Sequence, residues 1–149
     1  MMATASERPP ELDPRIERSR RVIAEAAIAE MAEAGYGSMT IDESAPPRVR
    51  VTQLLTWLAD FLGDESNPVA ACMPMFVSAA QYDPAVREFD HRFTNDRRQV
   101  LIDILVDGQT TGDFAIGLDP DLTAELLVGP IFYRMLMSGR TFPVGTCRH

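Results

Sequence analysis

The stretch GYGSMTIDESAPPRVRVTQLL, Gly35 to Leu55, carries two helical signals back to back, and where one yields to the other decides the fold. Thr40-Ile41-Asp42-Glu43 has the form of a capping box. The Thr40 hydroxyl can accept from the Glu43 amide while the Glu43 carboxylate returns to the Thr40 amide, so a helix is expected to start there. Pro46 and Pro47 then remove two amide donors and disfavour the α conformation in the residue before each. That helix is therefore expected to be a stub over 41–45. A different, apolar pattern follows at once: Val51, Leu54, Leu55, Leu58, Phe61 and Leu62 predict a helix from about Val49 to Leu62.

Upstream, Asp13-Pro14 suits a helix start, and Ile16, Ile23, Ala27, Met31 and Ala34 keep one face of a helix that Gly35 and Gly37 end. Residues 1–13 read as a polar, Pro-rich arm without the apolar core of a signal peptide. Downstream, Asn67-Pro68 opens a strongly apolar helix interrupted by Pro74. Asp83-Pro84 opens a long amphipathic one to about Asp107, with Val86, Phe89, Phe93, Val100, Leu101, Ile104 and Leu105 inward. Asp119-Pro120 opens a last helix through Gly139, and the tail from Arg140 has no helical pattern. Strand signals are scarce, so the expected fold is all-α.

Composition narrows the function. Of 149 residues, 46% are hydrophobic and 24% charged, enough to bury a core. The net charge of −8 disfavours non-specific nucleic-acid affinity, which rests on a basic footprint. Residues 1–50 carry seven Arg against nine acids, and residues 51–149 seven Arg against thirteen, so the acidity lies mostly in the second part. Cys72 and Cys147 fit no metal or CxxC spacing and suit a reducing cytoplasm. No apolar run is long enough for a membrane span. His91 and His149 form no metal-ligand spacing or nucleophile–base pair, and no GxSxG, P-loop, GxGxxG or HExxH occurs. Neither an enzyme nor a cofactor is expected.

RIERSRRVIAEAAIAEMAEAGYGSMTIDESA, residues 15–45, resembles the start of a TetR/AcrR-type transcriptional regulator, through the order of Ile23, Ala27, Gly35, Tyr36, Thr40 and Ile41. The segment from Tyr82 to Gly139 is similar to the ligand-binding, dimer-forming C-terminal domain of one branch of that family, through its two Asp-Pro starts and its Gly129-Pro130, Phe132, Tyr133-Arg134 pattern. The resemblance implies a partial helix-turn-helix segment over 14–47 joined to a helical-bundle regulatory domain over 48–149. It further implies a repressor controlled by a small hydrophobic ligand. The expected partners are DNA and a second subunit, either the same chain or a full-length relative.

The departures are as informative. After TIDESA the family continues with a Gly-containing turn, a recognition helix and a linking helix; here PPRVRVTQLL stands in their place. Ser44 occupies a position where the family places a buried aliphatic residue. The helix that would follow the last Gly-Pro helix has no counterpart in the pattern up to His149. A truncated head without its base-reading element is therefore expected, and the alternative is a ligand-binding or heterodimerising module without sequence-specific DNA binding.

Two sets of candidate residues follow. By resemblance, Arg15, Arg18 and Arg21 on the first helix and Thr40 at the start of the second would approach phosphates, with Arg48 near them; such contacts position a protein without reading bases. The competing reading is a solvated face for the first cluster and a linker role for Arg48. Trp57, Phe61, Met73, Met75, Phe76, Phe93, Phe132 and Tyr133 could line an apolar ligand cavity between helices, where Met adapts to varied ligands. They could equally fill the core. Pro74, inside an apolar helix, deprives the Ala70 carbonyl of its usual partner and could open such a cavity.

Overall fold

A computed structural model describes residues 13–16, 18, 19, 22, 25, 26, 29, 39 and 41–139. Among them no strand occurs, and the fold is all-α. The described residues over 14–29 are helical and exposed. This segment opens on Asp13, whose Oδ1 accepts from the Arg15 amide at 2.9 Å.

Four further helices make up the domain: α1 (Pro47–Gly63), α2 (Pro68–Ala80), α3 (Pro84–Thr111) and α4 (Pro120–Tyr133). The last runs on as a π-helical turn, Arg134–Ser138, that ends at Gly139 in the left-handed conformation. Each of the four starts with Pro at its first position, where the missing amide costs nothing and φ is already helical. Asn67, Asp83 and Asp119 cap α2, α3 and α4 through side-chain oxygens that accept from first-turn amides. Asn67 serves two helices: its Oδ1 accepts from Val69 N–H at 3.0 Å, and its Nδ2 donates to the Phe61 carbonyl at 3.2 Å near the end of α1. Arg87 closes α2 from α3, donating to the carbonyls of Ala80 and Gln81 at 2.9 and 2.6 Å. A cation there also complements the helix dipole.

The spine is α3, which spans 28 residues, about 42 Å at the helical rise. It packs against α1, α2 and α4. Two apolar clusters share it. Near its start, Val86 meets Ala59 and Leu62 of α1, Val69, Met73, Phe76 and Ala80 of α2, and Ile131 of α4. Near its end, Leu101, Ile104 and Leu105 meet Val51 and Leu54 of α1 and Ala124 of α4. The early half of α1 thus lies against the late half of α3, so the two run antiparallel. The ion pair Arg50–Asp107 at 2.7 Å ties them at that end. Arg98 of α3 pairs with Glu125 and Asp121 of α4 at 3.1 and 3.4 Å, on a more exposed surface where such pairs contribute little.

Three expectations need correction. Residues 41–45 are not a helical stub. Asp42 Oδ1 accepts from both the Ser44 amide (3.0 Å) and the Ser44 hydroxyl (2.6 Å), and Ala45 N–H bonds back to the Asp42 carbonyl at 3.0 Å, which makes a turn. A short polar side chain offers the backbone this alternative to helix, and with Pro46 and Pro47 following, no propagation outweighs it. The helix expected from Val49 begins at Pro47, whose buried ring is its first residue. The helix expected to end near Asp107 runs to Thr111, because Gly108 lets the Phe114 ring fold over its last turn and Gly112, at φ 84°, closes it.

Candidate functional site

The cluster near the start of α3 is where the aromatic residues converge. Phe76 of α2 is almost fully buried and meets Phe89 of α3 edge to face, with ring centroids 5.9 Å apart and planes at 87°. Phe89 stacks on Phe93 one turn along the same helix, at 5.6 Å and 24°. Phe61 and Leu58 of α1 and Phe132 of α4 pack against the same group. Trp57, one turn before Phe61, stacks on it at 5.0 Å and 21°. Such ring pairs contribute about 0.5–1.5 kcal/mol each beyond their burial.

Of the eight residues expected to line a cavity, Phe61, Met73, Phe76, Phe93 and Phe132 therefore meet in one cluster, and Trp57 joins through Phe61. Met75 and Tyr133 do not: they are 44% and 63% exposed and face outward. Helical spacing explains both, since Met75 and Tyr133 each adjoin an inward neighbour, Phe76 and Phe132. Pro74 is also on the exposed side of α2, so its ring lines no interior surface.

Three residues of α3 were missed as parts of this site. Phe89 bridges Phe76 and Phe93. Arg97 places its guanidinium carbon 3.6 Å from the Phe93 ring centroid. Asp90, half-buried, is held above the ordinary carboxylate range chiefly by desolvation, against the opposing pull of His91 and a 3.5 Å hydrogen bond from Thr94. The available signal was spacing: 86, 90, 93, 97, 101 and 104 recur at three and four residues, and two of those positions are charged.

Arg15 and Arg18 are exposed on the N-terminal helix, while Arg21 and Thr40 lie outside the described residues. Arg48 is engaged within the domain: its Nη2 donates to the Asp113 carbonyl at 3.0 Å, and its guanidinium sits 5.8 Å from the Phe114 ring centroid. Between Ile41 and Pro47 there is a turn pinned to α1 by Asp42 N–H donating to Gln53 Oε1 at 3.2 Å. Met39 and Ile41 pack against the late-α3 cluster, so this link lies on the four-helix domain.

The domain is thus four helices with one long central helix and an aromatic cluster at its early end. Residues 46–149, more than two thirds of the chain, match the family described as "Tetracyclin repressor-like, C-terminal domain". The chain belongs to the TetR family of regulators. The match begins at Pro46, where the pinned turn hands over to α1. No curated protein and no solved structure matches the chain significantly.

Proposed function

We propose that this protein is a TetR-type regulator, of repressor polarity by resemblance, whose helical domain takes up a small hydrophobic molecule and whose head no longer reads DNA sequence. The observation that carries this reading is the Ile41–Pro46 link. Sequence-specific recognition needs an element seated in the major groove with side chains at base edges. Here a turn held by Asp42, Ser44 and Gln53 leads straight into α1 at Pro47, which leaves no length for a turn and recognition helix. The ligand reading is supported by the convergence of Phe61, Met73, Phe76, Phe93 and Phe132 on one end of the bundle, a usual setting for such sites. The reading assigns the chain no catalysis and places it in the cytoplasm. Among the described residues, no helix is long and apolar enough to cross a membrane.

The test is a fluorescence-anisotropy titration with the chain's own upstream DNA and a scrambled duplex, at several stated salt concentrations. Equal, weak and steeply salt-dependent binding to both is expected. A preference of tenfold or more for the upstream duplex would refute the loss of reading.

A second reading, a module that pairs with a complete relative and silences it, is favoured by the outer face of α4. Leu122, Leu126 and Tyr133 of α4 are 53%, 66% and 63% exposed, and Met137 of the π-helical turn that follows is 74% exposed. Sedimentation of the chain alone and co-expressed with a full-length relative separates homodimer from heterodimer; a monomer in both would dismiss this reading.

A further inference from the structure

The early half of α3 carries a carboxylate within its apolar stripe. Asp90 follows the buried Val86 by four residues and precedes Phe93 by three, so it stands on the face that packs into the aromatic cluster. It is half-buried there, next to Phe89, whose ring meets both Phe76 and Phe93. Taking a carboxylate even partly out of water is costly unless hydrogen bonds or a counter-ion compensate. Compensation is scant. The Thr94 hydroxyl lies 3.5 Å from one Asp90 oxygen, and among the described residues Asp90 joins no ion pair. Desolvation accordingly pushes its carboxyl above the ordinary range, and His91 and Thr94 offset only part of that rise. The bundle thus keeps a destabilising charge at the edge of its apolar cluster, where a neutral residue of the same shape would cost less. The domain as a whole has the same sign, with seven Arg against thirteen acids over residues 51–149, which draws cations toward it and repels anions.

We propose that Asp90 is the counter-ion for the cationic group of an amphipathic ligand, whose apolar body lies against the aromatic cluster. The assignment rests on the ligand-binding reading above and fixes the class of ligand: an organic cation, a quaternary or protonated amine with a hydrophobic body. Such a ligand supplies the partner that the fold withholds. The partial desolvation that makes the lone carboxylate costly also strengthens its attraction to a bound cation.

Two fluorescent probes with the same body decide the matter: diphenylhexatriene, which is neutral, and its trimethylammonium derivative. Both are titrated into the full chain and into Asp90→Asn, Asp90→Glu and the control Glu88→Gln, with folding checked by circular dichroism. Glu88 is exposed on the same helix, so its substitution removes the same charge away from the cluster. Both probes should bind the native chain. Asp90→Asn should weaken the cationic probe about tenfold or more, some 1.4 kcal/mol, and leave the neutral probe within about twofold. Asp90→Glu should keep part of the affinity, and Glu88→Gln should leave both probes within about twofold. If only the neutral probe binds the native chain, or if Asp90→Asn shifts both probes alike or neither, the counter-ion is refuted while the ligand-binding reading stands. If neither probe binds the native chain, both fall together.

Discussion

The Phe114 ring lies directly on the α-carbon face of Gly108, and its amide donates to the Gly108 carbonyl at 3.0 Å. A Cβ added at Gly108 would overlap Cδ2 and Cε2 of that ring. Since Arg48 in turn approaches the outside of the ring, this one glycine seats the α3–α4 loop against the start of α1. Gly108→Ala gains about 1 kcal/mol in helix propensity but forces the ring out, at a typical overpacking cost of about 1–3 kcal/mol. We expect a net loss of stability in urea or thermal unfolding. In a Phe114→Ala background the same substitution should become stabilising, and a double-mutant cycle would expose this reversal of sign.

Arg48 is a residue of the regulatory domain. Arg48→Met keeps much of the stem's packing and loses the hydrogen bond to Asp113, so it should cost about 1 kcal/mol. DNA affinity should not move. A drop in affinity accompanied by a salt slope shallower by about one would instead mark Arg48 as a phosphate contact.

Asn67 joins the end of α1 to the start of α2 through one amide group. Removing it in Asn67→Ala deletes a cap of about 1 kcal/mol and a donor to the Phe61 carbonyl of about 0.5–1.5 kcal/mol. A melting temperature lower by roughly 3–10 °C is expected for a chain of this size. Asn67→Asp keeps the capping oxygen and loses only the donor, so it should fall between the two. An equal loss in both variants would show that the Phe61 contact carries the whole effect.

The carboxylates divide into two kinds by pH. Hydrogen bonds from the Ser44 and Ser66 hydroxyls and amides hold Asp42 and Asp64 below their ordinary value of 3.8. Their contribution to folding is present above that value and is lost as pH falls through the depressed one. Asp90 is raised, first by desolvation, so its protonated form is favoured in the fold and its contribution is lost as pH rises through the raised value. Asp90→Asn should therefore match the native chain in acid and be the more stable of the two at neutral pH. Denaturation curves at several pH values check this, and a constant difference across pH would contradict it.

Much of the architecture was legible because its signals are local. The pairs Asn67-Pro68, Asp83-Pro84 and Asp119-Pro120 each put a capping acceptor before a residue that suits only a first helical turn, and each marks a helix start in the fold. The segment 41–45 misled because two local signals competed. Thr40 and Glu43 spell a capping box, but Asp42 finds both Ser44 donors within its own turn. The candidate site was half legible. Phe61, Met73, Phe76, Phe93 and Phe132 are apolar and periodic, so their inward direction follows from helix geometry. Met75 and Tyr133 share that chemistry and differ only in phase. Arg97 was hidden in the run Asp96-Arg97-Arg98, where composition suggests a solvated face.

By itself, then, the sequence determined the all-α class, the helix starts and the family resemblance, since each rests on signals within a few residues of chain. Only the tertiary structure decided which members of the apolar set meet, that Arg48 is held by the α3–α4 loop, and that Arg97 lies on Phe93 between two cores. Those facts depend on how α1, α2 and α4 pack around α3, and packing is set by shape complementarity between residues far apart in sequence. The turn at Asp42 stands between the two kinds. Its hydrogen bonds to Ser44 are local, but its tie to Gln53 is made only once α1 has formed beside it.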